Sequence, residues 1–154
     1  MFIGHLPAGY LGLALTSPNT PWPRSIMVAG LLGAIAPDLD MFWFFLVDSS
    51  VHHHHLITHR PAVWVALLLV GAAFRSGATT AFAAGAILHC TLDTIVGSIM
   101  WAWPLSDQSF HLVTVPATRS HWILSFLTHW TFLVEIGVCV LALSVFALRR
   151  RRFR

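Results

Sequence analysis

Three long apolar segments constrain this chain more than any other feature of its sequence. They cover residues 25–47, 79–103 and 122–148. A helix needs about 20 apolar residues to cross the hydrocarbon core of a bilayer, and each segment meets that length. Only 10% of the chain is charged, whereas roughly a quarter of the residues are charged in an average soluble domain. The sequence therefore predicts an integral membrane protein.

Two weaker apolar segments complete the predicted fold. Residues 58–74 reach spanning length if Thr58 caps a helix whose first turn contains Pro61. Residues 2–16 are marginal for a crossing. Because no repeat or second domain is evident, we expect residues 1–154 to form a single integral-membrane domain. The predicted fold is all-α, a polytopic transmembrane bundle of four to five helices.

The arginines predict how this bundle is oriented. The chain ends in the basic tail RRRRFR at residues 149–154, and short cytoplasmic loops retain positive charge. A cytoplasmic tail places Arg24 and Arg75 inside as well, and leaves Arg60 and Arg119 outside. We therefore expect a multi-pass protein of the cell inner membrane with a cytoplasmic C-terminus. The tail also predicts contact with anionic membrane lipids, and it gives no reason to expect a nucleic-acid partner.

Several ionisable residues lie inside the apolar segments, where they are costly. An aspartate at the centre of a membrane helix costs roughly 2.5–3.5 kcal/mol to insert, so three together cost on the order of 10 kcal/mol. Arginine pairing cannot offset this broadly, because only Arg60 and Arg119 are expected on the outer side. The carboxylates are therefore either protonated or bound to a cation. The residues in question are Asp38, Asp40, His89, Asp93, His129 and Glu135.

The predicted topology brings these residues to the outer half of the bundle. The segments that carry Asp38, His89 and Asp93 both run outward. His89 and Asp93 are four residues apart, so they share one face of a helix. Pro37 interrupts the other helix, and irregular backbone is tolerated at membrane depth where it lines a polar cavity. The pattern predicts a mixed His/Asp metal centre with one ion or two.

A histidine run, VHHHHLITHRP, joins two segments at the same outer end. Adjacent histidines can rarely all reach one ion. We interpret His54 and His59 as candidate ligands and the other three histidines as loop residues. His5 joins the candidates if the first segment crosses. Mixed imidazole and carboxylate ligands favour a divalent zinc, manganese or iron ion over copper or calcium.

Short motifs occur along the chain in a characteristic order. They are HLPAGY near the start, GAIAPDLD, a histidine-rich stretch ending in Thr-His, and HxxxD followed by Gly97 and WPLS. Together they resemble the YdjM-like family of predicted membrane-bound metal-dependent hydrolases from bacteria and archaea. The family's usual His-Arg pair falls on His54 and His55, so this chain departs from the pattern at the arginine. The resemblance implies a metal centre formed by His5, Asp38, Asp40, His54, His59, His89 and Asp93.

The favoured hypothesis is a membrane-bound metal-dependent hydrolase. Its substrate would be an ester or phosphoester of a lipid or lipid-linked molecule at the extracytoplasmic face, a class inferred from the location alone. A bound divalent ion lowers the pKa of a water molecule and polarises the scissile group. Asp40 is expected to bind the ion, to orient a ligand histidine or to accept a proton. His129 is a second candidate catalytic base.

Two other classes of function remain open. A cation or proton transporter, or another metal-handling membrane protein, uses the same residue types along an ion path. Such a path should continue to the cytoplasmic face, where the sequence is apolar apart from Glu135. A non-catalytic scaffold with a structural metal should instead show a closed ligand shell.

Overall fold

The structure, a computed structural model, describes residues 3–153. Within this range the regular structure is helical, and an isolated bridge pairs Ile99 with Phe110. The predicted all-α fold is therefore confirmed. Three short 3-10 turns occur at Pro37–Leu39, His53–His55 and Ile57–His59. The α-helices are α1 (His5–Thr16), α2 (Arg24–Gly33), α3 (Asp40–Leu46), α4 (Pro61–Ala73), α5 (Gly77–Asp93), α6 (Trp122–Leu127) and α7 (Trp130–Arg152).

Helix α5 forms the centre of the fold and packs against α1, α2 and α4. Glycines allow α2 and α5 to touch through their backbones. A side chain at Gly33 would collide with the carbonyl of Phe82, and one at Gly85 would collide with the backbone of α2. Small residues commonly permit such close approach between membrane helices. This contact holds the end of α2 directly beside the middle of α5.

Helix α7 packs chiefly against α1, and the two helices run in the same direction. Near the start of α7, Glu135 accepts hydrogen bonds from the backbone N–H groups of Ile3 and Gly4. Near its end, Arg149 donates to the carbonyl oxygens of Ala14 and Ser17. The basic tail therefore lies at the far end of α1 from His5.

Helix α7 is also the described helix that is long and apolar enough to span a membrane, with a mean hydropathy of 2.4. Helix α2 and residues 37–46 together form a second candidate span that is bent by 54°. Helix α4 is apolar but shorter. The bundle of four to five crossings thus stays a prediction, as does the orientation of the C-terminus.

Each of the three long segments contains a break, and the sequence predicted only the one at Pro37. Pro37 lacks an N–H group, and α2 gives way there to a 3-10 turn before α3. Helix α5 ends at Asp93, because residues 94–99 pair through backbone hydrogen bonds with residues 110–113. The last segment divides at His129, which caps α7 by accepting a hydrogen bond from the Thr131 N–H.

The start of α4 also differs from the prediction. Its N-cap is Arg60 and Pro61 is its first residue, as expected for proline. Thr58 does not cap the helix, because its hydroxyl donates to the carboxylate of Asp40 instead. The histidine run is thereby attached to the start of α3.

Candidate metal centre

Four side chains from three parts of the chain meet at one buried point. Asp38 comes from the turn between α2 and α3, His59 from the turn before α4, and His89 and Asp93 from the last turns of α5. One ligand atom from each lies within 4.8 Å of the other three. The side chains of both histidines and Asp93 are almost completely buried, whereas that of Asp38 is 32% exposed. We call this group the four-residue cluster.

The distances within the four-residue cluster suit a single small cation. The Nε2 atoms of His59 and His89 are 3.3 Å apart. Oδ2 of Asp93 lies 3.0 Å from Nε2 of His89 and 3.4 Å from Nε2 of His59. Oδ1 of Asp38 lies 3.5 Å and 3.8 Å from the same two nitrogens. Ligands bound tetrahedrally at about 2.0 Å from a zinc ion are separated by about 3.3 Å.

Hydrogen bonds on the opposite ring nitrogens determine the tautomers of both histidines. Nδ1 of His59 lies 2.7 Å from Oδ2 of Asp40, and Nδ1 of His89 lies 2.9 Å from the carbonyl oxygen of Ala34. A carbonyl or a carboxylate only accepts hydrogen bonds, so each Nδ1 carries the proton. When both rings are neutral, the two Nε2 lone pairs face each other and cannot hydrogen-bond to one another. A divalent cation between them satisfies both, and the ligand atoms of the cluster fit that ion.

Asp40 holds His59 in position from outside the four-residue cluster. Its Oδ2 accepts hydrogen bonds from the His59 Nδ1–H and the Thr58 hydroxyl. Its other oxygen lies 3.6 Å from Nδ1 of His53. Asp40, His53 and His59 also form a second close group, but the His59 nitrogen that faces Asp40 is the protonated Nδ1. Of the three predicted roles for Asp40, the geometry favours orientation of a ligand histidine.

His5 and His54 both lie beside the four-residue cluster, and each contacts its Asp93 carboxylate. Nε2 of His5 lies 3.1 Å from Oδ1 of Asp93, and its ring stacks on His89 with centroids 3.7 Å apart. Nε2 of His54 lies 3.6 Å from Oδ2 of Asp93. Gly97 makes room for His54, because a side chain there would collide with the imidazole. Both histidines are close enough to extend the ligand set.

His54 is suited to bind a metal ion as a neutral base. Burial lowers the pKa of its imidazole to about 3, even though the Asp93 carboxylate acts in the opposite direction. The ring is therefore unprotonated at neutral pH. A histidine must be neutral to donate a lone pair to a metal ion.

The structure does not bring His129, the second predicted base, to the cluster. His129 is the N-cap of α7, and its Nδ1 lies 2.9 Å from the Thr131 hydroxyl. Its ring also contacts Trp130. These described contacts are local to the start of α7, so the role of His129 as a catalytic base stays a prediction.

Three contributors to the site were not assigned their roles from the sequence, although Gly97 belongs to a quoted motif and Thr58 was expected to cap a helix. They are the carbonyl of Ala34, the hydroxyl of Thr58 and the small residue Gly97. In a regular helix the Ala34 carbonyl would accept from the N–H four residues later. Pro37 was the available signal, since it interrupts that hydrogen-bond pattern.

A family model described as YdjM inner membrane protein matches residues 1–153 of the chain. The matched range includes the histidine run and every residue of the four-residue cluster. The searches of curated proteins and of solved structures returned no match.

Proposed function

The chain belongs to the YdjM inner membrane protein family, and from this premise we propose that it is a membrane-bound metal-dependent hydrolase. The observation that carries the proposal is the meeting of two imidazole lone pairs and two carboxylates at one buried point. Burying carboxylates is strongly unfavourable unless a counter-charge is present. A divalent cation supplies that charge.

Asp38, His59, His89 and Asp93 would hold the ion, with His5 and His54 within reach of it through Asp93. The mixed nitrogen and oxygen ligands suit zinc, manganese or iron(II). A bound ion of this kind lowers the pKa of a water molecule and polarises the bond to be cleaved.

The surrounding residues prepare the ligands for this role. The Asp40 carboxylate and the Ala34 carbonyl keep the protons of His59 and His89 on Nδ1, so both Nε2 atoms remain available. A carboxylate partner also makes the imidazole a stronger ligand. Since Asp38 is the partly exposed member of the cluster, water and substrate would approach from its side.

Apolar residues beside Asp38 support a substrate with a hydrocarbon chain. Leu39 is 60% exposed and Phe42 is 66% exposed, and Trp43 on α3 is exposed as well. In a membrane protein such side chains face lipid. A lipid or lipid-linked molecule can therefore lie along the start of α3 with its ester or phosphoester group near Asp38.

The parallel arrangement of α1 and α7 supports a site at the extracytoplasmic face. Glu135 and His5 lie near the starts of these helices, and the arginine tail lies at the end of α7. If the tail is cytoplasmic, as positive charge favours, the four-residue cluster lies toward the opposite face.

An ion path is the alternative, and the interior of α5 argues against it. The buried residues between the cluster and the start of this helix include Ala81, Ala83, Gly85 and Ala86. A path for protons or cations requires polar groups along its length. A site confined to one end of the bundle, with no polar path leading from it along α5, is more consistent with a hydrolase.

Metal analysis of the purified protein in detergent tests the metal centre. We expect the wild type to retain zinc, manganese or iron after incubation with each ion and removal of the excess. The variant with both His89→Ala and Asp93→Ala should retain none, while His111→Ala, on an exposed loop, should behave like the wild type. Equal, negligible metal in the wild type and the double variant would overturn the proposal.

Turnover assays test the reaction. The loaded protein should hydrolyse a phosphoester or carboxylic ester attached to an acyl chain faster than a water-soluble analogue with the same reactive group. Bound metal with no hydrolysis of either substrate type would favour the metal-handling alternative.

A further inference from the structure

A buried carboxylate on α7 accepts hydrogen bonds from the backbone at the start of α1. Glu135 is fully buried, and its Oε2 lies 2.7 Å from the backbone nitrogen of Ile3 and 3.2 Å from that of Gly4. Both nitrogens donate their hydrogens to this oxygen. Glu135 is more than 130 residues away from them along the chain, so the contact is a tertiary one.

Helix α1 needs such a partner because it has no cap of its own. Its N-cap residue is Gly4, which has no side chain to accept a hydrogen bond. The first N–H groups of any helix lack partners within the helix, and unsatisfied groups are especially costly within a membrane. A carboxylate also interacts favourably with the positive end of the helix dipole. Glu135 supplies the charge, and it accepts from the N–H of the N-cap residue Gly4 and from that of Ile3, which precedes the helix.

This end of α1 places His5 beside the metal centre. His5 follows Gly4 directly, and it is 3% exposed. Its Nε2 lies 3.1 Å from Oδ1 of Asp93, and its ring stacks on His89. A rotation of α1 by one residue, about 100°, or a shift of about 1.5 Å along its axis would break both contacts.

We propose that Glu135 is a positioning residue of the metal centre, which acts by holding the start of α1 so that His5 contacts Asp93 and His89. This inference rests on the proposed metal centre. It assigns a role to a charged residue of the spanning helix that does not itself belong to the four-residue cluster.

Cobalt(II) binding, measured by titration and by its absorption spectrum in detergent, tests the proposal without any activity assay. We expect Glu135→Ala to weaken cobalt binding on the order of tenfold, as loss of a residue that orients a ligand typically does. Glu135→Gln keeps an oxygen within reach of both N–H groups and should restore most of the affinity. Glu135→Asp keeps the charge but shortens the side chain, so it should bind more weakly than Glu135→Gln and serves if the alanine variant does not fold.

A double-mutant cycle separates positioning from a general effect on stability. If Glu135 acts through His5, the combination of Glu135→Ala with His5→Ala should bind cobalt no more weakly than His5→Ala alone. Arg149→Ala is the matched control, since it removes hydrogen bonds between α7 and the opposite end of α1. It should lower the melting temperature and change cobalt affinity by less than about twofold.

The outcomes distinguish this inference from the proposed function. A wild type that binds no cobalt would overturn the metal centre and the inference together. A wild type that binds cobalt, with Glu135→Ala and Glu135→Asp binding it equally well, would overturn the inference alone. Independent, multiplicative losses from the Glu135 and His5 substitutions would also overturn it.

Discussion

The carboxylate of Asp40 controls which nitrogen of His59 faces the metal centre. Asp40→Asn removes the charge and introduces an amide that can donate to Nδ1, which would move the imidazole proton to Nε2. We expect this variant to weaken divalent metal binding by about 10- to 100-fold, as measured by titration with zinc against a competing chelator. Asp48→Asn is the matched control, because Asp48 is exposed and bonds locally to Ser50.

His54 should make the stability of the metal-free protein depend on pH. Its pKa is lowered by burial from 6.5 to about 3, so the unfolded chain takes up a proton that the folded protein does not. The contribution of His54 to the free energy of unfolding is fully present above pH 6.5, and it is lost as the pH falls toward 3. The loss should reach about 1.4 kcal/mol per pH unit.

Thermal unfolding in detergent between pH 7 and pH 4.5, with chelator present, measures this dependence. His54→Gln should unfold with a shallower pH dependence than the wild type, while the other histidines contribute equally to both proteins. Identical profiles for the two proteins would contradict the assignment of this titration to His54.

The chemical identity of the site residues could be predicted from their positions in apolar segments, but their individual roles could not. Asp38, His89 and Asp93 lie in apolar segments, where inserting an ionisable side chain into the membrane is unfavourable. His89 and Asp93 are also four residues apart, which is helical spacing. The sequence left three roles open for Asp40, and the chain order could neither select orientation of a ligand histidine nor identify that histidine as His59. That role depends on the turn at Pro37 and on the Thr58 hydroxyl, which are tertiary features.

At the level of helices, the contact between α2 and α5 positions the residues of the metal centre relative to one another. It brings the Ala34 carbonyl to Nδ1 of His89, and it depends on Gly33 and Gly85. We expect Gly85→Ala to destabilise the protein by about 1–3 kcal/mol, because the added methyl group meets backbone atoms that cannot move aside. Thermal unfolding in detergent measures the change.

Gly137→Ala provides the control for this substitution. A side chain at this position on α7 meets no described atom within 4 Å, and alanine is a better helix former than glycine. Stability should stay equal or increase slightly. Loss of stability in this variant equal to that of Gly85→Ala would show that the effect does not depend on the close contact between α2 and α5.

The helices themselves were predictable from length and apolarity, whereas their ends were not. Helix α7 covers most of the predicted segment 122–148, but it begins at Trp130 after a break capped by His129 and continues to Arg152. Helix α5 ends at Asp93, well before Trp103, because the following residues pair with the loop that contains Phe110. Apolar composition cannot distinguish a membrane helix from a buried turn that pairs with a distant loop, so this boundary required the fold.

For the whole molecule, the number of membrane crossings determines which loops share a face with the metal centre. The positive charge of the tail and the position of the cluster together predict that residues 49–55 and 106–121 are extracytoplasmic and that Arg75 is cytoplasmic. A crossing by α4 followed by a crossing by α5 is needed to place these sites on opposite faces. Labelling of single cysteines in a Cys90→Ala, Cys139→Ala background can test each of them.

Cysteines at Ser50 and Ser120 should react with a membrane-impermeant maleimide applied to the outer face of intact inner membranes. Cysteines at Arg75 and Arg151 should react only after the membrane is permeabilised. All four positions are exposed on the protein surface, so the reagent should reach each one once it has access to the correct face. Reaction at Arg75 from the outside would mean that α4 and α5 do not both cross, and it would reduce the bundle to the spans formed by α7 and the bent pair.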